Sequence, residues 1–360
     1  MTDNKKTRIV VGLSGGVDSS AAASLLVEQG YDVVGITLKV WPQDCVSRAE
    51  DKCCGPQAVM DARSVADKLD IPYYLVDESK EFQRDVIDYF AAEYKAGRTP
   101  NPCVMCNEKL KFGNLIDRAR KLGAEYVATG HYARLEQRNG RTVLLRGKDA
   151  RKDQTYFLFS LGQEQLAHMM FPLGELQKSE TREVARCVNL KTAEKQESQE
   201  ICFVPDKDYK KFLTTAGLVE EHRGEIVDTR GQVLGHHDGI EFYTIGQRKG
   251  LGISSPTPMY VIELDPENNR VVVGGEELLL RDEFRIDRCN WIAFERLAKP
   301  IEASAAIRYN HPGTEATVIP GENGQATVKL REPQRAVTPG QACVFYQGDL
   351  VVGGGWIMRD

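Results

Sequence analysis

The chain has 360 residues, of which 41% are hydrophobic and 28% are charged, and its formal net charge is −5. This length allows two or three domains with a sizeable core, and this composition excludes a disordered chain. The acidic balance argues against a uniformly basic nucleic-acid binder, although it leaves room for local basic patches.

The N-terminal residues, the apolar runs and the cysteines indicate the cellular compartment and the kind of cysteine chemistry. Residues 1–6 are polar, and no apolar run reaches the roughly 18 residues of a membrane span. We therefore expect a cytoplasmic protein with no membrane partner. The nine cysteines are odd in number and irregularly spaced, so metal binding or thiol chemistry is expected rather than a disulfide framework.

The first chemical feature is the run GLSGGVDS at 12–19, which follows a short apolar strand and precedes an Ala-rich helical pattern. Its two adjacent glycines let the backbone approach a ligand, and the helix offers unpaired N–H groups and a positive dipole end to an anion. Ser14 and Ser19 add hydroxyl donors. The run lacks the lysine of a GxxxxGK[ST] loop, so kinase-type transfer is not indicated. The sequence predicts a phosphate site here; the alternative is a Gly-rich turn without a ligand.

The chain up to about residue 145 alternates between apolar β-branched runs and helical patterns. The predicted strands are 9–11, 33–40, 71–76 and 126–129, and the predicted helices are 57–69, 81–96 and 107–122. This alternation predicts an α/β fold with a doubly wound parallel sheet, whose ligand lies at the carboxyl ends of the strands.

After residue 145 the predicted secondary structure changes twice. Helical patterns at 163–170 and 179–189 come first. Short alternating runs separated by Gly, Pro and Asn then follow at 270–273, 303–309, 316–319, 326–330 and 342–346. Such runs predict a β-barrel or β-sandwich.

The second chemical feature is the loop GRTPNPCVMCN at 97–107. Two prolines flank Asn101 and predict a stiff, non-helical segment, with a helix beginning near Asn107. Cys106 would then lie beside the positive end of that helix, where a thiol has a lowered pKa and is reactive.

Cys103 and Cys106 also fit half of a zinc site or a thioredoxin-like pair. A zinc site needs two more ligands, and the nearest thiols in sequence are Cys45, Cys53 and Cys54. We expect that group to be structural or incidental.

The third feature is Cys202, in the run ESQEICFV at 197–204. An isolated cysteine between Ile and Phe is most often a small buried hydrophobe, so this position alone leaves a functional role open. The remaining cysteines, Cys187, Cys289 and Cys343, are expected to be packing residues.

Seven blocks together resemble the tRNA-specific 2-thiouridylases, the MnmA family of PP-loop ATP pyrophosphatases, which sulfurate C2 of the wobble uridine in certain tRNAs. The blocks are GLSGGVDSS at 12–20, TPNPCVMCNEKLKF at 99–112, ATGHYAR at 128–134, KDQTYFL at 152–158, TAEKQESQEICFV at 192–204, FYTIGQRKGLGI at 242–253 and IRYN at 307–310. The first block is shared with other PP-loop enzymes, whereas the second, fifth and sixth are far more specific.

The resemblance implies an organisation and a chemistry. It implies a PP-loop catalytic domain with a helical tRNA-contacting extension at 1–206, a small β-rich central domain at 207–280 and a C-terminal β-barrel at 281–360. ATP and Mg²⁺ are the implied cofactors, with AMP and pyrophosphate as products. The implied partners are tRNA and a sulfur donor protein, either a relay carrier or a cysteine desulfurase.

The resemblance also implies roles for individual residues. Cys202 is the implied persulfide carrier and Cys106 the partner nucleophile. Asp18 is our candidate for the magnesium ligand, because Mg²⁺ would balance the charge of the pyrophosphate. The implied ATP contacts are Gly12, Leu13, Ser14, Gly15, Gly16, Val17, Asp18 and Ser19, with Leu38 and Gly130 beside the adenosine. The implied tRNA contacts are Asn101, Pro102 and Cys103 at the target base, and His131, Lys152, Asp153, Gln154, Arg308, Tyr309 and Gln341 elsewhere.

Two departures from the family pattern and three alternative interpretations remain. Some family members have Asp in place of Cys103, and others have Asp in place of Glu197. His131 also fits a core or helix-capping histidine. Two other functions compete: a PP-loop ligase that adenylates a small molecule, which needs no second thiol, and a non-catalytic tRNA-binding or sulfur-carrier protein, which does not need SGGVDS.

Overall fold

The computed structural model describes residues 7–40, 55–194, 201–204 and 208–359. The predictions for Cys45, Cys53, Cys54 and Glu197 therefore lie outside the described residues. The chain divides into two compact units. The first comprises 1–86, 103–207 and 348–351, and the second comprises 87–102, 208–347 and 352–360.

Strands and helices are numbered separately along the whole chain. The strands are β1 Arg8–Gly12, β2 Asp32–Lys39, β3 Tyr73–Asp77, β4 Tyr126–Ala128, β5 Ala133–Arg138, β6 Arg141–Arg146, β7 Met169–Met170, β8 Gly224–Asp228, β9 Val233–His237, β10 Tyr260–Asp265, β11 Arg270–Gly274, β12 Leu280–Trp291, β13 Ile301–Ala306, β14 Thr314–Pro320, β15 Ala326–Arg335, β16 Ala342–Gln347 and β17 Leu350–Ile357. The α-helices are α1 Val17–Glu28, α2 Pro56–Leu69, α3 Ser79–Phe82, α4 Asp88–Lys95, α5 Pro102–Met105, α6 Leu115–Lys121, α7 Gln163–Ala167, α8 Lys178–Cys187 and α9 Tyr209–Thr215. Among the helices of the described ranges, none combines the length and the hydrophobicity of a transmembrane helix.

The first unit is built on a five-stranded sheet in the order β3-β2-β1-β4-β7, in which every neighbouring pair is parallel. The central strand β1 is buried, and Ile9, Val10 and Val11 are each 0% exposed. Continuous β-branched burial of this kind is typical of a strand covered on both faces. The predicted parallel sheet is confirmed, and β1 leads directly into the Gly-rich loop.

The helix that carries Cys106 begins earlier than predicted. It starts at Pro102 rather than near Asn107, continues as a π-helix over Cys106–Asn114 and ends as α6. Proline is well suited to the first helical position because its fixed φ matches the helix and its missing N–H would be unpaired there anyway. Asparagine is a preferred residue just before a helix. The Asn-Pro pair at 101–102 is therefore a helix start, and treating it as a non-helical signal was wrong.

Two further elements differ from the sequence prediction. Residues 169–170 form the edge strand β7 rather than the end of a helix, since α7 stops at Ala167. Strands β5 and β6 form an unpredicted antiparallel hairpin. Its turn places Asn139 at φ 50° and Gly140 at φ 76°, the left-handed pair that a two-residue hairpin turn requires.

The second unit contains a four-stranded sheet in the order β10-β11-β8-β9 and a six-stranded barrel. The barrel order is β12-β15-β14-β13-β16-β17, and β17 pairs with β12 to close it. Alternate inward residues fill its interior, and Ala305, Val318, Val328 and Phe345 are each 0% exposed. The predicted C-terminal β-barrel is confirmed.

The three remaining cysteines divide by burial. Cys343 is 0% exposed in the barrel core and Cys289 packs against that core. Burial raises the pKa of Cys289 to about 12, so this thiol stays protonated. Cys187 is exposed at the end of α8, so its assignment as a packing residue was wrong.

Candidate active site

The Gly-rich loop between β1 and α1 is fixed at its start by the neighbouring strand. The Leu13 amide donates to the Ile36 carbonyl at 2.8 Å, and the Thr37 hydroxyl donates to the Leu13 carbonyl at 2.6 Å. The Tyr73 hydroxyl in turn donates to Thr37 Oγ1 at 2.8 Å. These bonds hold the loop rigidly at the carboxyl edge of the sheet.

The turn itself depends on glycine and on the two serines. Gly15 has φ +69°, and a side chain there would collide with the Ala58 carbonyl. The Ser14 amide donates to Ser19 Oγ at 3.1 Å, and the two hydroxyl oxygens lie 3.1 Å apart. Helix α1 begins at Val17, so the amides of its first turn lack intrahelical acceptors. The loop is therefore shaped as an anion cradle.

Two neighbouring strand ends border this loop. Leu38 lies near the end of β2 and Gly130 follows β4, and both strands flank β1. A Cβ at Gly130 would lie 2.6 Å from the Asp18 carbonyl carbon and 2.6 Å from the Ser19 amide nitrogen, so only glycine fits beside the start of α1. The residues assigned to ATP thus converge at one sheet edge, as the topology rule for open α/β sheets requires.

Asp18 belongs to a polar network that the sequence did not indicate. Its Oδ1 accepts hydrogen bonds from Lys178 Nζ at 2.5 Å and from the Tyr132 hydroxyl at 3.0 Å. The same hydroxyl lies 2.9 Å from Thr181 Oγ1. Within the described part of the chain both bonds to Asp18 fall on Oδ1, which leaves Oδ2 for a metal ion. Lys178 was missed because it is 160 positions away in sequence and belongs to no recognised motif.

The three thiols assigned to the site region are each half-buried: Cys103, Cys106 and Cys202. Cys103 lies in the first turn of α5, whereas Cys106 lies one turn further along, at the start of the π-helix. The helix dipole therefore favours a thiolate at Cys103 at least as much as at Cys106. The choice of Cys106 now depends on the family resemblance alone.

The buried Glu78 and the half-buried Gln165 anchor the π-helix. Glu78, which is 1% exposed, accepts hydrogen bonds from Asn114 Nδ2 at 2.7 Å and from Arg118 at 3.0 Å. Gln165 Nε2 donates to the carbonyls of Glu108 and Phe112 at 3.1 and 2.7 Å. A π-turn leaves local carbonyls misaligned for α-helical bonding, and Gln165 satisfies two of them. Cys106 therefore lies at the start of a well-supported segment.

Besides Cys103, four residues assigned to tRNA lie in the first unit. His131 is 9% exposed, its Nδ1 lies 2.8 Å from Thr129 Oγ1, and burial lowers its pKa well below the usual range. Asp153 is 8% exposed and bound by Arg146 and Thr155. Gln154 Oε1 accepts from the Tyr132 amide at 3.0 Å. These three are engaged within the protein, whereas Lys152 is half-buried; tRNA contact by the four stays a prediction.

The second unit holds the other assigned contacts. Arg308 is exposed and Tyr309 is 40% exposed, and both lie within three residues of the end of β13. A guanidinium and an aromatic ring at the surface suit phosphate contact and base stacking. Asn101 is 7% exposed at the end of the loop 97–101.

Gln341 acts on that same loop. Its Nε2 donates to the Thr99 carbonyl at 3.1 Å and to the Pro100 carbonyl at 3.0 Å. The Thr99 amide donates to the Pro339 carbonyl at 2.8 Å. The segment before β16 therefore fixes the backbone immediately before Asn101.

We expect Gln341→Ala to lower the turnover rate by about 10-fold, because two carbonyls lose their donor and the residues leading to Asn101 lose their fixed geometry. The tRNA dissociation constant should change less than threefold. Gln347→Ala is the matched control, since Gln347 also donates from the barrel to a backbone carbonyl, that of Glu302. Equal turnover in the two variants would show that the Gln341 hydrogen bonds to the loop 97–101 do not matter for catalysis.

Within the described ranges, no group of three or more His, Cys, Asp or Glu side chains is placed to hold a metal ion. A magnesium ion bound chiefly by substrate phosphates needs only one or two protein carboxylates. Asp18 with its available Oδ2 fits that requirement.

Comparison with known proteins covers almost the whole chain. Residues 7–206 match the family model of a tRNA methyl transferase HUP domain, 210–275 a tRNA methyl transferase PRC-barrel domain and 281–357 an aminomethyltransferase β-barrel domain. The tRNA-specific 2-thiouridylase MnmA of Clostridium perfringens is 49% identical over 353 residues, 98% of each chain.

Two further relatives agree. The MnmA proteins of Moorella thermoacetica and Geobacter metallireducens are 51% and 50% identical, and the matches cover 97% and 99% of this chain and 98% of each relative. Identity at this level over the full length of both chains establishes the relationship, and the chain belongs to the MnmA family of tRNA-specific 2-thiouridylases.

Proposed function

We propose that this protein catalyses ATP-dependent 2-thiolation of the wobble uridine of tRNA. The observation that carries the proposal is that one compact unit contains both the Gly-rich anion cradle and the two assigned thiols, Cys106 and Cys202. A cradle without a P-loop lysine suits adenylation, and thiols suit sulfur transfer.

The first half of the reaction activates the base. Uracil O2 is a poor leaving group and has to be activated before sulfur can displace it. It attacks the α-phosphorus of ATP, and the bond from that phosphorus to the oxygen that bridges to the β-phosphate breaks. Pyrophosphate leaves and AMP stays on O2. A Mg²⁺ ion held by Asp18 and the phosphates would neutralise charge on the leaving pyrophosphate. Amides of the first turn of α1 bind and orient the phosphates.

The second half transfers sulfur. The terminal sulfur of a Cys202 persulfide attacks C2 and displaces AMP, which leaves Cys202 joined to the base through a disulfide. The Cys106 thiolate then attacks Cys202 Sγ, so a Cys106–Cys202 disulfide forms and the electron pair of the broken bond leaves with the sulfur on C2. A dithiol reductant restores both cysteines. The persulfide sulfur is supplied by a donor protein, a relay carrier or a cysteine desulfurase.

Different regions of the chain are assigned to different parts of the tRNA. We assign the target base to Asn101, Pro102 and Cys103, and other tRNA contacts to Lys152 and the exposed pair Arg308 and Tyr309. A stacked wobble base has to be flipped out to reach a thiol nucleophile. We retain domain limits at residues 206 and 280, and a cytoplasmic location, as parts of this proposal.

The matching domain descriptions mention methyl transfer, whereas the full-length relatives are 2-thiouridylases. The cysteines favour thiolation, because methyl transfer to a base needs neither a persulfide carrier nor an adenylating loop.

We expect ATP to be converted to AMP and pyrophosphate only when tRNA is present. Asp18→Asn should lower that rate by about 100-fold or more at saturating Mg²⁺, because the carboxylate oxygen that suits the ion is lost. Asp67→Asn, an exposed change on α2, is the control. The products are separated by ion-exchange chromatography. Release of ADP and phosphate would refute adenylation, and AMP formation without tRNA would favour a small-molecule ligase.

A further inference from the structure

Strand β3 lies at one edge of the parallel sheet and is exposed where such strands are ordinarily covered. In the sheet formed by the described residues its one neighbour is β2. Tyr74 is 47% exposed and Leu75 is 43% exposed, and successive side chains of a strand point to opposite faces. Parallel strands in α/β proteins are usually buried on both faces. Both faces of β3 therefore carry a large, uncovered hydrophobic side chain.

The outer side of β3 also presents unpaired backbone groups. The Gly35 amide donates to the Pro72 carbonyl at 2.8 Å, and the Glu78 amide donates to the Lys39 carbonyl at 2.9 Å. Peptide groups alternate in direction along a strand, so Pro72, every second residue after it and Glu78 bond towards β2. The N–H and C=O of Leu75 consequently point away from β2, and the described part of the chain offers them no partner. Such an edge is a template for strand addition by another protein.

A short connection joins this edge to Cys202. Asp77 ends β3, and its Oδ1 accepts hydrogen bonds from the Ser79 amide at 3.1 Å and from the Ser79 hydroxyl at 2.6 Å. Ser79 begins the four-residue helix α3, which ends at Phe82. The Phe82 and Phe203 rings are both buried and meet edge to face with their centres 5.6 Å apart. Phe203 directly follows the half-buried Cys202, so the β3 edge and this thiol lie on adjoining structure within the first unit.

The same connection supports the segment that carries the second thiol. Glu78 lies between β3 and α3, and its carboxylate accepts hydrogen bonds from Asn114 and Arg118. Asn114 ends the π-helix that begins at Cys106. A protein bound along β3 would therefore lie beside the elements that position both assigned thiols.

The chemistry of Cys202 favours a sulfur donor protein as the occupant of this edge. A persulfide held on another protein has to come within bonding distance of the Cys202 sulfur, so that protein must bind close to Cys202. Strand β3 has the sequence YYLVD and contains no Lys or Arg, which disfavours contact with tRNA phosphates. Exposed apolar side chains beside unpaired peptide groups instead suit a protein partner that adds a strand.

We propose that the exposed edge of β3 is the docking site of the sulfur donor protein, which adds a strand beside Leu75 and brings its persulfide to Cys202. The Cys202 thiolate attacks the terminal sulfur of that persulfide, the S–S bond of the sulfur donor protein breaks, and its cysteine leaves as a thiolate. Tyr74 and Leu75 pack against the added strand. The inference rests on the proposed thiolation and gives its protein partner a surface.

Leu75→Pro tests strand addition, because it removes the outward N–H without removing a hydrogen bond to β2, and proline is tolerated at such positions of an edge strand. The full chain is incubated with ³⁵S-labelled L-cysteine and with the cysteine desulfurase and persulfide-carrier proteins of the same organism. Labelling of Cys202 should be slower by about 10-fold or more in Leu75→Pro. It should be slower by only about threefold in Leu75→Ala, which keeps the backbone N–H.

Glutathione persulfide serves as the comparison, because a small molecule needs no docking surface. With it, both Leu75 variants should label Cys202 within about twofold of the parent rate. Met60→Ala controls for the loss of an exposed apolar side chain elsewhere in the first unit and should match the parent with every sulfur source. Thermal melting checks folding. If Leu75→Pro melts early, Leu75→Lys replaces it, since a lysine on an edge strand opposes strand addition.

Equal labelling of the parent and the folded Leu75 variant by the protein mixture would overturn the inference, as would an equal loss with glutathione persulfide. An unlabelled parent in the protein mixture would do the same. A dimer that dissociates in Leu75→Pro during sedimentation velocity would assign the edge to a second copy instead, and weaker tRNA binding in Leu75→Pro would assign it to RNA. Failure of the parent to form 2-thiouridine from glutathione persulfide, ATP and Mg²⁺ would refute the proposed function.

Discussion

Cys202→Ser should abolish 2-thiolation, lowering the rate by more than about 1,000-fold, because a hydroxyl cannot carry a persulfide sulfur. Adenylation of tRNA should persist, since the Gly-rich cradle and Asp18 are unchanged. After incubation with a ³⁵S-labelled persulfide donor, the variant should carry no labelled sulfane sulfur. Radiolabel on the denatured protein and pyrophosphate release from ATP are measured in parallel.

Cys187→Ser is the control for this experiment, because Cys187 is an exposed thiol at the end of α8 and is assigned no role. It should retain both the label and the activity. Retention of thiolation by Cys202→Ser would remove Cys202 from the mechanism, and loss of pyrophosphate release as well would indicate a damaged fold.

Cys106→Ser should also abolish turnover, again by more than about 1,000-fold, because the sulfur joined to C2 would remain attached to Cys202. Cys202 should still accept the persulfide label, since loading precedes the step that Cys106 performs. Cys103→Ser should retain much of the activity, because the family resemblance implies a position that holds Asp in some members. After a single turnover without reductant, peptide mapping should find Cys106 joined to Cys202.

The structure bears on the choice between Cys103 and Cys106 as the partner nucleophile. Cys103 lies in the first turn of the helix and Cys106 in the next, so the dipole does not single out Cys106. A Cys103–Cys202 disulfide, together with activity in Cys106→Ser, would reverse the two assignments.

The sequence predicted much of the fold because its signals were local. Buried β-branched runs gave the parallel strands, and short alternating runs gave the barrel. Two errors were avoidable: Asn139-Gly140 is a strong hairpin signal, and Asn101-Pro102 is a helix start. The two-residue strand β7 was not predictable, since its pairing with β4 depends on tertiary packing.

Residues of the candidate site could be proposed from the sequence where a motif lies within one segment. The Gly-rich loop and the cysteines could be located in this way. Lys178 and Glu78 could not, because each acts on a partner distant in sequence: Asp18 at 160 positions and Asn114 at 36. The structure also shows what the sequence cannot: Asp153 already accepts hydrogen bonds from Arg146 and Thr155.

Mass spectrometry of nucleosides tests the central claim most directly. Unmodified tRNA carrying a wobble uridine is incubated with the parent protein, ATP, Mg²⁺ and a persulfide donor, then digested and compared with reactions lacking ATP or containing Cys202→Ser. The account predicts 2-thiouridine at the wobble position only in the complete reaction. Unchanged uridine in that reaction, or a methylated nucleoside in its place, would contradict it.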